Sequence, residues 1–340
     1  MNEKNPVSNH SSADIWSSNE NVPEYYPGGQ GVSEEAPGPY GYSESMSELD
    51  DERVAPASFS GVGEEYVNHS RNYVPLPDFI DGSATEVGKM LGSLNEEFRY
   101  WREARSYGEA DPEEFSQRFL EGAYAVVRNI GDGVLSRSSA ESSTLLAAVG
   151  NVPNLKISSR SESDRGALGA IRTRRPHDGV SRGDSMAIDL DAIYDLQVPM
   201  VQESLRKHDI HMPHSTLAFL FSARTVAHES AHVIQGQIGK MVGLGGGEAV
   251  DYMSSFFTEA SGASAEAINE GFAEGYAELV LGAMLSELGY GMTEAAGIVH
   301  AMSHRDSPKN VERGYLAIPQ SGMEMMLEHV SGEIRKRNDF

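Results

Sequence analysis

Two histidines and a glutamate stand close together in Thr225-Val226-Ala227-His228-Glu229-Ser230-Ala231-His232-Val233-Ile234. His228 and His232 are four positions apart, so on a helix both imidazoles project from one face, one turn above the other. So placed, they can share one metal ion. Glu229 can face the open position of that metal without ligating it, which suits a general base acting on metal-bound water. Apart from Glu229, no charged residue lies between Thr225 and Ile234. A helix buried beside a site has that frame, and a solvated surface helix rarely does.

A catalytic zinc site takes three protein ligands and keeps a fourth place open. The chain contains no cysteine, so any metal must be held by His, Asp or Glu. The metzincin pattern would put a third His six positions after His232, and that position is Ile238. The better candidate lies downstream, in Asn269-Glu270-Gly271-Phe272-Ala273-Glu274-Gly275-Tyr276-Ala277-Glu278. Glu270, Glu274 and Glu278 step by four along one helix face. Stacked carboxylates repel unless a cation or hydrogen-bond donors balance them, and a metal at Glu270 is one such balance.

Together the two segments resemble the gluzincin zinc metallopeptidases, in which a HExxH helix is followed by a second helix bearing an Asn-Glu signature. Asn269-Glu270-Gly271-Phe272-Ala273 is the form familiar from the aminopeptidase branch. The resemblance covers about 222–238 and 266–282. It implies that His228, His232 and Glu270 ligate Zn2+ and that Glu229 is the general base. Glu274, with Asn269 beside the ligand, falls in the supporting shell, where a carboxylate that hydrogen-bonds a ligand His fixes its tautomer and raises its basicity. The implied activity is hydrolysis of peptide bonds by a zinc-bound water, on a peptide or protein substrate. Two features depart from the aminopeptidases. The spacing from His232 to Glu270 is longer, and the Gly-x-Met-Glu-Asn segment that anchors a free amino terminus is missing, so exopeptidase activity is not implied.

Such hydrolysis also needs a donor to the tetrahedral oxyanion, usually Tyr, His or Arg. Tyr276, His300, His304, Arg313 and Tyr315 are the candidates, with Tyr315 and His304 the preferred pair. A di-iron carboxylate bundle would need a second Glu-x-x-His, which the chain lacks, and peptide deformylase uses a cysteine ligand. The remaining alternative is a catalytically inactive zinc-binding or interaction module that keeps the zincin fold. Glu229 argues against it, because an abandoned site has no use for that side chain.

Elements that could position these residues are legible in the apolar spacing. A helix-compatible run covers about 215–237. Val87, Met90, Leu91, Leu94, Phe98 and Trp101 mark one helix face. Asp111-Pro112-Glu113-Glu114 opens a second helix, with proline at its first position and Gly131 as its stop, and a third covers 139–149. Short alternation at 167–174 and 185–193 predicts a strand pair. The glycine-rich segment 239–248 reads as a flexible loop, and 251–258 as a short helix. His208, His211 and His214 fall in a surface loop.

The expected organisation is therefore an α+β, zincin-like metallopeptidase domain over 155–335, with a small edge sheet, an active-site helix and a glutamate helix. A helical subdomain over 81–150 precedes it, and residues 1–80 form a disordered acidic tail. That tail holds 14 acidic and 3 basic residues and no sustained apolar period, so it cannot bury enough surface to offset the entropy of ordering. Its aromatics Trp16, Tyr25, Tyr26, Tyr40 and Tyr42 could serve as docking motifs for a partner. The formal charge of −24 over 340 residues argues against nucleic acid, whose phosphates are met by Lys and Arg clusters. No apolar run is long enough for a membrane span, and the first residues lack the apolar core of a signal peptide. A cytoplasmic location is the expectation.

Overall fold

The computed structural model describes residues 85–108, 112–150, 155–159, 168–172, 184–207, 209–303 and 317–338. The acidic tail, His304, Arg313 and Tyr315 lie outside the described residues. Helix α1 (Glu86–Tyr107) begins where the Thr85 hydroxyl accepts from the Gly88 amide at 2.9 Å. It turns Leu91, Leu94, Phe98 and Trp101 inward. Helix α2 (Pro112–Leu135) and helix α3 (Ala140–Gly150) follow. The expected stop at Gly131 does not occur: the helix runs on to Leu135. Gly131 serves close packing instead, since a Cβ there would lie 2.3 Å from the Tyr276 ring.

Three short strands come next: β1 (Lys156–Ser159), β2 (Gly169–Arg172) and β3 (Ser185–Ile188). They form one sheet in the order β1-β3-β2, with β1 parallel and β2 antiparallel to β3. The pairing of β2 with β3 agrees with the alternation, whereas β1 has too short a pattern to be seen in advance. The second strand also ends earlier than its alternation suggests. Asp189 accepts from the Ala192 amide at 2.8 Å and so caps α4 (Leu190–Ala192). That helix passes through a π-helical turn (Ile193–Gln197) into α5 (Val198–Arg206).

The centre of the molecule is α6 (His214–Met241), 28 residues with apolar side chains buried on every side. A helix apolar all round belongs in a core. Two of its hydroxyls are satisfied within the helix: Thr225 donates to the Phe221 carbonyl at 2.9 Å and Ser230 to that of Val226 at 2.7 Å. The glycine-rich segment is more ordered than a flexible loop. Gly239 lies inside α6, where a Cβ would meet the Ala249 carbonyl oxygen at 2.1 Å, and after a short turn α7 (Gly247–Ser255) begins. Helix α8 (Thr258–Ser261) leads to α9 (Ala265–Glu287), whose N-cap Ser264 accepts from Ala267 at 3.1 Å. Helices α10 (Met292–Met302) and α11 (Gln320–Asn338) complete the described chain.

One continuous apolar cluster joins these elements. Phe98 of α1 stacks edge-on against Phe119 of α2 and Phe219 of α6, with centroids 5.0 and 5.9 Å apart. The first three helices therefore share their core with the helix that carries the two histidines. No described helix is long and apolar enough to cross a membrane.

Candidate metal centre

Helices α6 and α9 pack side by side and bring His228, His232 and Glu270 together. Glu270 presents one oxygen to each imidazole: Oε2 lies 3.3 Å from His228 Nε2, and Oε1 lies 3.5 Å from His232 Nε2. The two rings are 5.1 Å apart between centroids. Among the described residues this is the one group of three His, Asp or Glu side chains close enough to hold an ion. The two separations are compatible with a metal ion. Tetrahedral bonds of ~2.0–2.1 Å put neighbouring donor atoms about 3.3–3.4 Å apart.

Each imidazole is also oriented from behind. His232 Nδ1 lies 2.8 Å from Gln235 Oε1, while Gln235 Nε2 donates to the Asn269 carbonyl at 3.1 Å. A carbonyl only accepts, so the amide nitrogen of Gln235 must face Asn269 and its oxygen must face His232. His232 Nδ1 then donates to Gln235, and Nε2 is the atom facing Glu270. Asn269 is fixed in turn by donating to Asp251 of α7 at 2.7 Å. On the other ring, His228 Nδ1 lies 3.4 Å from Glu274 Oε2, and the opposite oxygen of Glu274 accepts from Arg224. Glu274 thus lies behind His228, against its Nδ1 edge. Asn269 supports His232 through its backbone carbonyl.

The charges of the triad are mutually adjusted. Burial alone would push the His228 pKa down, but Glu270 and Glu274 flank the ring and raise it to about 10. Burial would raise that of Glu270, yet His232 and His228 lower it to about 2. Without a metal, a proton on His228 Nε2 holds the place between the imidazole and Glu270.

Glu229 is buried on the same helix, next to His228. Strand β2 passes directly over it, since a Cβ on Gly169 would fall 2.5 Å from Glu229 Oε1 and 2.7 Å from its Cγ. Only a residue without a side chain lets the strand and the carboxylate sit this close. β2 lies at one side of the sheet, paired with β3.

The other candidates are placed differently. Tyr276 is fully buried, and its hydroxyl donates to Asp132 of α2 at 3.0 Å. It ties α9 to α2 and is not an oxyanion donor. His300 is exposed on α10. The preferred donors Tyr315 and His304 fall outside the described residues. Of the histidines thought to share a loop, His214 is instead buried at the start of α6 against the Tyr194 ring at 4.4 Å, and His211 is exposed. Arg224, Gln235 and Asp251 were not singled out in the sequence. The position of Arg224, one turn before His228 in an apolar stretch, was the available signal. No family model matches this chain, and comparisons with curated proteins and with solved structures give no match.

Proposed function

We propose that the chain is a zinc-dependent peptidase with a zincin-type α+β catalytic unit, held by His228, His232 and Glu270. The observation that carries this reading is the set of donor separations near a tetrahedral edge, with the Glu270 oxygens turned to the Nε2 atoms of both histidines. A zinc ion there would supply an acidified water and a Lewis acid for the substrate carbonyl. Glu229, adjacent but outside the ligand set, takes the proton released on attack and passes it to the departing amine. Gln235 and Glu274 fix the ring orientations. The outer strand β2 runs beside Glu229, so an extended peptide could pair along its backbone while its scissile bond lies near the carboxylate. A peptide or protein is therefore the substrate class, and the oxyanion donor is sought at Tyr315 or His304.

Glu229→Gln separates enzyme from binding module. The variant should bind zinc as the wild type does and lose about 100- to 10,000-fold in peptide hydrolysis, the range for a general base. A zinc-replete wild type that cleaves no member of a diverse peptide library would instead favour the inactive zinc-binding module.

A further inference from the structure

We infer that Arg224 is a positioning residue for this site: it holds Glu274 against the Nδ1 edge of His228, leaving Glu270 as the carboxylate that faces the ligand nitrogens. The inference rests on the zinc reading above. Arg224 and His228 lie one turn apart on α6, and Glu270 and Glu274 lie one turn apart on α9. The two helices thus set two carboxylates beside one imidazole, 3.3 Å from Nε2 and 3.4 Å from Nδ1. Only their other oxygens differ. That of Glu270 turns to His232, and that of Glu274 accepts from the Arg224 guanidinium.

Charge explains why the difference matters. A dication is balanced by Glu270 and Glu229, so Glu274 is a third negative charge in a buried place. The Arg224 side chain is 2 % exposed, so its guanidinium meets that charge away from water. It cancels that charge and commits one oxygen of Glu274, leaving the second 3.4 Å from His228 Nδ1. The ring is then held with Nε2 toward the metal position, as Gln235 holds that of His232. Without Arg224, the Glu274 oxygen now held by the guanidinium loses that donor.

The test compares wild type, Arg224→Lys, Arg224→Met, Glu274→Gln and the Arg224→Met/Glu274→Gln double variant. Zinc dissociation constants are measured by competition with a chromophoric chelator, with melting of the zinc-free proteins recorded alongside. Arg224→Met and Glu274→Gln should each weaken zinc about 10- to 100-fold, the usual range for supporting partners of a ligand. The double variant should be no weaker than the poorer single one, and Arg224→Lys should recover most of the loss. Wild-type affinity in Arg224→Met, or losses that multiply in the double variant, would overturn the inference. Should Arg224→Met fail to fold, the double variant, which removes both buried charges together, is set against Glu274→Gln. Equal affinities, with Arg224→Lys intermediate, support the inference, and a further tenfold loss contradicts it. A wild type that binds no zinc fails the metal reading itself, before any variant is compared.

Discussion

Gly169 and Glu229 show how narrowly the site is drawn at the level of single residues. Gly169→Ala would drive a methyl group to 2.5 Å from the Glu229 carboxylate, so either the strand or the glutamate must move. Hydrolysis should fall about 100-fold, the effect of a misplacement of about 1 Å, with zinc still bound through His228, His232 and Glu270. An unchanged turnover would mean that Glu229 is not held by β2. The His228 proton makes a second prediction. Zinc must displace it, so zinc affinity should rise with pH by about tenfold per unit across the neutral range, as for metal binding that releases one proton. An isothermal titration series would check the slope, and a pH-independent affinity would contradict it. Zinc-free protein has the opposite dependence at its alkaline end. The raised His228 pKa contributes stability that is complete below 6.5 and lost as pH climbs through about 10. The lowered Glu270 pKa contributes above 4.5 and is lost as pH falls through about 2. This pair therefore holds the zinc-free chain best between 4.5 and 6.5.

Close approaches, made possible by glycine, set the positions of the elements. Gly131 of α2 admits the Tyr276 ring of α9, and Gly239 of α6 admits the backbone of α7 at Ala249. Gly275 of α9 likewise meets the Ile318 carbonyl, one turn from Gly271, whose own carbonyl accepts from Ile318 N at 2.8 Å. Gly131→Ala should cost about 1–3 kcal/mol, the usual penalty for overpacking a tight core, because the ring it meets is fully buried with a committed hydroxyl. Chemical denaturation measures this, and a neutral substitution would show that the contact yields. These glycines also mark what the sequence withheld. Along a single helix Gly131 reads as a stop and Gly239 as loop, since their reason lies on another helix, at Tyr276 of α9 and Ala249 of α7. The His228/His232 pair and the Glu270/Glu274 step were legible because helical periodicity alone puts them on one face. Arg224 and Gln235 were not, because their roles depend on how α6 meets α9.

At the scale of the whole molecule, the cysteine-free, acidic composition narrowed the donor set, and the fold adds the balance of charge within it. Of the carboxylates stacked on α9, Glu270 faces two imidazoles and Glu274 faces His228 and the Arg224 guanidinium, so the zinc proposed there would be one of several partners for that face. The three N-terminal helices, expected as a subdomain of their own, contribute Phe98, Phe119 and Leu146 to the same core as α6, and Asp132 of α2 anchors Tyr276 of α9. Strand β1 was illegible because four residues hold too little alternation to stand out. The direct measurement of the central claim is the zinc K-edge absorption spectrum of the purified full chain, with metal content measured in parallel. The account predicts one zinc per chain, with two imidazole nitrogens and one carboxylate oxygen at about 2.0–2.2 Å, and loss of the bound metal in Glu270→Gln. A zinc-replete chain that retains no zinc, or one whose zinc environment is unchanged by Glu270→Gln, would contradict it.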